Sequence, residues 1–141
     1  MKEDFDCRKI IVIGNQIRRL FDGAFSKVGL TNAQGSTLCF IYTAGRYRDV
    51  FQRDVEDEFD LRRSSVTSVL QGLERGGYLH RESVSEDARL KKLVLTDKAI
   101  ELYERISSLM DETNATIVRG MSNADMSALD RLMSKVKANL P

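Results

Sequence analysis

Residues 62–82 read Arg62-Arg63-Ser64-Ser65-Val66-Thr67-Ser68-Val69-Leu70-Gln71-Gly72-Leu73-Glu74-Arg75-Gly76-Gly77-Tyr78-Leu79-His80-Arg81-Glu82, and the fold turns on them. Val66, Val69, Leu70 and Leu73 recur at three- and four-residue steps, the spacing of one helical face. That pattern predicts a helix over about 62–75, which Gly76-Gly77 stop. From Tyr78 the period changes. Tyr78 to Glu82 and Lys91 to Leu95 read as two short strands, and the polar, charged segment Ser83 to Leu90 joins them as a hairpin with a long loop. Just upstream, a short helix over roughly 50–59 meets the 62–75 helix through the brief link Asp60-Leu61.

Two short helices on a tight link, the second followed at once by a hairpin, outline a winged helix-turn-helix. The flanks are helical. Phe5, Ile10, Ile13, Ile17, Leu20, Phe21, Phe25 and Val28 form one apolar stripe on a long first helix, which Val28-Gly29-Leu30 ends. Thr31 or Asn32 caps a second helix running through Leu38, Cys39, Ile41 and Tyr42 to about Arg46. Thr96 caps a helix carrying Ala99, Leu102, Ile106, Leu109, Thr113 and Ile117, close to a heptad seam, and Gly120 breaks it. Ser122 or Asn123 caps a last helix with Met126, Leu129, Met133, Val136 and Leu140. The expected class is mainly α with a small β-hairpin wing, in a single domain spanning 1–141. Residues 31–95 are its winged-helix lobe, and 1–30 and 96–141 are the flanking helices.

With 141 residues, the chain has the length of one domain. Its 22 basic and 21 acidic residues leave a net charge of +1, so any grip on a polyanion must come from a local patch. No stretch approaches the roughly 18–20 apolar residues of a membrane span. Met1-Lys2-Glu3-Asp4 lacks the basic-then-apolar order of a secretory signal, which sets the expectation of a cytoplasmic protein with no membrane partner. Enzymatic readings find little to work with. The single histidine, His80, has no partner at a useful spacing and reads as a surface or strand-packing residue. Cys7 and Cys39 are not spaced as a metal pair, and no glycine loop is built to cradle phosphate. No catalytic residue, metal or cofactor is expected.

The helix over 62–75 suits a DNA major groove, where its N-terminal residues reach base edges. Those residues are Arg62, Arg63, Ser64, Ser65, Thr67 and Ser68, with Val66, Leu70 and Leu73 turned inward. Arg can fork onto guanine, and Ser and Thr reach bases or phosphates. Between Arg62 and Lys92 seven basic residues face four acidic ones, a net of +3. Between Asp49 and Asp60 six acids accompany Arg53 alone, a net of −5, so that helix is expected to face away from phosphate or lie at its periphery. In the hairpin loop Asp87 can salt-bridge the base of the loop and fix its shape, leaving Arg89 at the tip for a minor groove, the plainer alternative being a surface turn with an ordinary Asp–Arg pair. Arg81, Lys91 and Lys92 would contact phosphate or stabilise the wing.

From Leu61 to Thr96 the sequence resembles the MarR family of winged-helix transcriptional regulators. The carrying residues are Ser65-Val66-Thr67, Leu70 through Leu79, Arg81, the wing pair Asp87 and Arg89, and Leu95-Thr96. The resemblance implies a homodimer held by the N-terminal helix and the last two helices, acting as a repressor on a pseudo-palindromic operator in double-stranded DNA. It also implies response to a small aromatic effector, for which Tyr42, Arg46, Tyr47 and Arg18 could supply a polar end. The apolar stripes of the flanking helices independently exceed what a small winged-helix core can cover. Cys7 lies 24 residues before Thr31, the place of the reactive cysteine in the family's peroxide-sensing branch. The tyrosine positions of that branch hold Ile11 and Phe21 here, while Arg8 and Lys9 could still activate a thiolate. Redox sensing through Cys7 and a protein-interaction module without DNA binding are the alternatives. Cys39, beside Leu38 and Ile41, reads as core.

Overall fold

Helix capping sets most of the element boundaries. A computed structural model describes residues 4–87 and 89–141. The chain runs α1 (Arg8–Ser26), α2 (Asn32–Gly45), α3 (Gln52–Phe59), α4 (Arg63–Arg75), β1 (Leu79–Ser83), β2 (Lys91–Leu95), α5 (Asp97–Ile117) and α6 (Asn123–Ala138). The order is the one the sequence predicts. Thr31 opens α2 with a capping box: its hydroxyl accepts from the Gln34 N–H at 3.1 Å, and the Gln34 side chain accepts from the Thr31 N–H at 3.1 Å. Ser122 and Asp125 repeat the device at α6. Helices α1 and α4 end alike, each on a left-handed glycine, Gly29 at φ 75° and Gly77 at φ 76°. The next N–H then folds back, Leu30 to the Phe25 carbonyl at 3.1 Å and Tyr78 to the Leu73 carbonyl at 2.9 Å. The link between α3 and α4 is tighter still. Asp60 takes φ 49°, the one left-handed non-glycine among the described residues, and turns the chain within two residues.

Two boundaries move by one or two residues from expectation, each for a hydrogen-bonding reason. Tyr78 stays outside β1 because its N–H closes α4, so the strand begins at Leu79. Helix α3 begins at Gln52 rather than at about residue 50, because the Val50 carbonyl accepts from the Leu93 N–H of β2 at 2.7 Å. Segment 50 thus lies along the outer edge of a hairpin whose strands pair antiparallel, Leu79 with Leu95 and Arg81 with Leu93. The far end of β2 is secured too. The Thr96 hydroxyl donates to the Gly77 carbonyl at 2.6 Å and accepts from the Ala99 N–H, capping α5 while tying it to the end of α4.

The core gathers one face from each of these elements: Phe25, Leu38, Val50, Val55, Val66, Leu70, Leu73 and Ile106 are fully buried, and Leu79 and Leu93 nearly so. The stripe on α1 reaches that core only at its C-terminal end, where Phe25 is buried and Phe21 packs against it. Phe5, Ile11, Val12, Ile13 and Leu20 are exposed, and no residue of α6 is buried. No helix is long and apolar enough among the described residues to cross a membrane.

Helices α1 and α2 approach closely because Gly35 has no side chain. A Cβ there would sit 2.8 Å from the Phe25 ring, which is fully buried and has nowhere to retreat. Gly35→Ala is therefore expected to destabilise the fold by about 1–3 kcal/mol, read as a lower denaturant midpoint. Gly45→Ala, with no atom within 4 Å of the added carbon, should be neutral or slightly stabilising in the same measurement.

Candidate functional site

Helix α4 divides cleanly by face. Val66, Leu70 and Leu73 are buried, while Arg62, Arg63, Ser64, Ser65 and Ser68 are exposed and Thr67 is half-buried. With one side locked into the core, the polar row along the first two turns faces outward as a rigid strip. The hairpin leans over one edge of that strip. Between them lies a groove of about 420 Å³ lined by Phe51, Gln52, Arg53, Glu56, Arg63, Arg81, Arg89, Leu90 and Lys91. Three elements distant in sequence thus bring five cationic side chains and one carboxylate to a single concavity.

The cations differ in how they are held. Arg81, on β1, donates from Nε to Glu74 of α4 at 2.6 Å and from Nη1 to Gln52 of α3 at 3.4 Å. Of its two expected roles, phosphate contact or wing support, this geometry is that of wing support. Lys92 is likewise engaged, 3.8 Å from Glu82 and 3.9 Å from Asp49. The Asp87 carboxylate turns to Arg89 rather than to the base of the loop. Its Oδ1 accepts from the Arg89 backbone N–H at 3.0 Å and from Arg89 Nε at 3.3 Å, with the Arg89 side chain 93% exposed. Lys91 is exposed at the mouth of the groove. His80 is an exposed strand residue 2.8 Å from Glu82, and its hydrogen bond is the main reason the Glu82 carboxyl sits below the usual carboxylate range.

Sequence reasoning missed Gln52 and Arg53. Helix α3 reads as an acidic block, yet its first two residues line the groove while several acids are spent elsewhere. Asp54 accepts from the Phe51 N–H at 2.8 Å and pairs with Arg48 at 3.1 Å, and Asp49 turns to Lys92. Glu56 lines the groove beside Gln52 and Arg53. The signal available was Arg53 itself, one base in a run of acids.

The four residues considered for an effector do not converge. Tyr42 stacks on Tyr103 at 3.6 Å between ring centroids, and with Arg46 it borders a cavity of about 290 Å³ beside Val50 and Leu93. Arg18 lies on α1, bonded to Asn15, at a different concavity near Asn32 and Phe59. Tyr47 is 85% exposed and borders neither. Cys7 is exposed just before α1, and the neighbouring Arg8 guanidinium is turned onto Asp6 at 2.7 Å. Among the described residues no group of three or more His, Cys, Asp or Glu is placed to hold a metal ion.

Comparison with known proteins covers this whole arrangement. Residues 28–90, the lobe from the end of α1 into the wing, match the family model described as MarR family. The structure of the transcription regulator MarR from Oenococcus oeni superposes with a TM-score of 0.79 at 29% identity, covering 94% of this chain and 98% of that one. A putative MarR family transcriptional regulator from Listeria monocytogenes, solved with a 26mer DNA, gives a TM-score of 0.85 at 23% identity over 96% of this chain and 89% of that one. The S. aureus MepR–DNA complex gives 0.85 at 23% identity over 100% of both chains. At those identities the last two speak for the fold alone.

The two thiols offer a direct check on the packing. Cys39 is buried on α2, and burial pushes its thiol up to about 11, with the Asp111 carboxylate adding to the effect. Cys39 should resist iodoacetamide at pH 8 in the native protein and react once the chain is unfolded, as peptide mass mapping would show. Rapid native modification of Cys39 would contradict the α2–α5 packing.

Proposed function

We propose, from the match of residues 28–90 to the MarR family model, that the chain is a MarR-family transcription regulator and a sequence-specific binder of double-stranded DNA, acting as a homodimeric, ligand-responsive repressor in the cytoplasm. The observation that carries the reading is the cationic groove between α4 and the wing, continuous with the exposed polar row Arg62, Arg63, Ser64, Ser65 and Ser68. A phosphate backbone running through the groove would meet Arg53 and Lys91, while Arg63 on the α4 side would reach base edges. The α4 row would then lie in the major groove, with Thr67 at its edge. Arg89, held by Asp87, would reach the adjacent minor groove, where a narrow A·T stretch concentrates negative potential. The overall charge of +1 suits this division, because the attraction is confined to one concavity.

The dimer rests on apolar surface that the single chain leaves uncovered. At 100° per residue, the run Ile10-Ile11-Val12-Ile13 encircles its helix, so no single flat partner surface can cover it. Ile11 remains 64% exposed, α6 presents Leu129, Leu132 and Met133 to solvent, and Leu140 is exposed just beyond its end. A second copy wrapping the start of α1 with its own flanking helices would cover both regions. The two α4 helices would then be placed for half-sites about one helical turn apart.

The effector we propose is a small anionic aromatic molecule. What supports it is the cavity of about 290 Å³ bordered by Tyr42, Arg46, Arg48 and Lys92, three cations against the one carboxylate of Asp49. Val50 and Leu93, whose backbone bond fastens the wing, also line that cavity, so a ligand there would bear directly on the wing's seat. Repression relieved by ligand follows if the bound form holds the wing at an angle the duplex does not fit.

Two measurements test the reading. Binding to a mixed-sequence duplex across a salt series should show log K falling steeply with log salt. Arg53→Ala should weaken every duplex alike and shallow that slope by about 1 per protomer. Arg63→Ala should cost about 1–3 kcal/mol on a selected site and relax its specificity. Binding that is absent or indifferent to salt would instead identify a protein-interaction module. Separately, Ile11→Asp combined with Leu132→Asp should convert a dimer into a folded monomer in sedimentation velocity. A dimer that survives both changes would refute the proposed interface.

A further inference from the structure

Gln52 sits at the first position of α3, and its amide spans the join between the helix-turn-helix and the wing. Its Nε2 donates to Thr67 Oγ1 at 2.9 Å and lies 3.4 Å from the Arg63 carbonyl, both on α4. Its Oε1 accepts from Arg81 Nη1 of β1 at 3.4 Å, and Arg81 Nε donates to Glu74 in the last turn of α4. The amide therefore closes a loop of contacts, running from the first turns of α4 through Gln52 to the wing and back to the end of α4.

The backbone grips the hairpin at the same level. Arg81 stands opposite Leu93 in the strand register, and the Leu93 N–H donates to the Val50 carbonyl, two residues before Gln52. Side-chain and main-chain contacts from one short segment thus hold one cross-strand pair. A primary amide donates from one end and accepts at the other, which is what the helix carbonyl and the Arg81 guanidinium require.

We propose that Gln52 is a positioning residue that sets the angle of the wing on α4, so that the wing-tip Arg89 and the α4 row engage a duplex together rather than independently. This rests on the DNA-binding reading for its consequence but not for its geometry. Arg89 and Arg63 line the same groove with no hydrogen bond between them, so the frame that holds the wing sets how the two are placed relative to each other. Gln52→Glu separates the two halves. A carboxylate still accepts from Arg81 and can accept from the Thr67 hydroxyl, but it cannot donate to the Arg63 carbonyl and repels it.

The test uses the full-length protein with Cys7→Ser, spin-labelled at Ser64→Cys on α4 and Glu86→Cys on the wing, diluted with unlabelled protein. The parent should give one narrow distance distribution. Gln52→Ala and Gln52→Glu should broaden it while leaving the thermal midpoint nearly unchanged. Distributions that stay narrow would overturn the proposal whether or not DNA binds, and so would broadening accompanied by general loss of the fold. On a selected duplex, the double-mutant cycle between Arg63→Ala and Arg89→Ala should show a coupling of about tenfold in the parent. That coupling should vanish in the Gln52→Ala background. A coupling that persists there would overturn the proposal, whereas failure of the parent to bind any duplex would sink the functional reading and leave the distance result to decide Gln52.

Discussion

The Val50 carbonyl bonded to the Leu93 N–H at 2.7 Å is the contact on which the site depends. A two-stranded hairpin has little stability of its own in water. This one gains a third partner from the segment entering α3, and the two residues that exchange the bond are also buried in the core, at 1% and 5% exposure. Backbone pairing and apolar burial therefore fall on the same pair. Because the wing is fixed there, Arg89 and Lys91 lie across a groove from Arg53 and Arg63. Without it the same cations would be scattered over a flexible loop and two helices.

Electrostatics within the lobe follow a division of labour that net charge conceals. Acids and bases are nearly balanced over the chain, but they are sorted by position. Glu74, Asp49 and Glu82 hold Arg81 and Lys92 in the scaffold of the wing, while Asp54 holds Arg48 and the start of α3. Each of these pairs is partly exposed and contributes little stability alone. Their effect is to fix side chains in place, and they leave a cationic concavity with Glu56 as its one carboxylate. The apolar helices are sorted in the same way. The C-terminal half of α1 and the inner face of α5 complete the core, whereas the apolar residues at the start of α1 and all of α6 lie outside it.

Much of this was legible in the sequence because it is local. Thr31, Thr96 and Ser122 cap the helices they were expected to cap, Gly77 ends α4, and the inward face of α4 is Val66, Leu70 and Leu73 as its spacing requires. The Asp87–Arg89 contact, two residues apart, was legible for the same reason. What escaped depends on elements meeting in space. Gln52 carries no pattern of its own, and its partners lie 11, 15 and 29 residues away. Arg53 was hidden by its acidic neighbours. Arg81 could be named but not assigned, since the choice between phosphate and scaffold turns on Glu74 facing it across the end of a helix. Tyr42, Arg46, Tyr47 and Arg18 likewise depend on tertiary packing: the first two border one cavity, Arg18 borders another and Tyr47 neither.

The most direct test of the account is selection from a random duplex library by the purified protein, followed by sequencing of the retained DNA. The account predicts an inverted repeat with half-sites centred about 10 base pairs apart, flanked by A·T-rich steps where the two wings would lie. A library that emerges unenriched, or enriched only for a single unrepeated element, would contradict a symmetric pair of winged helices reading DNA through α4.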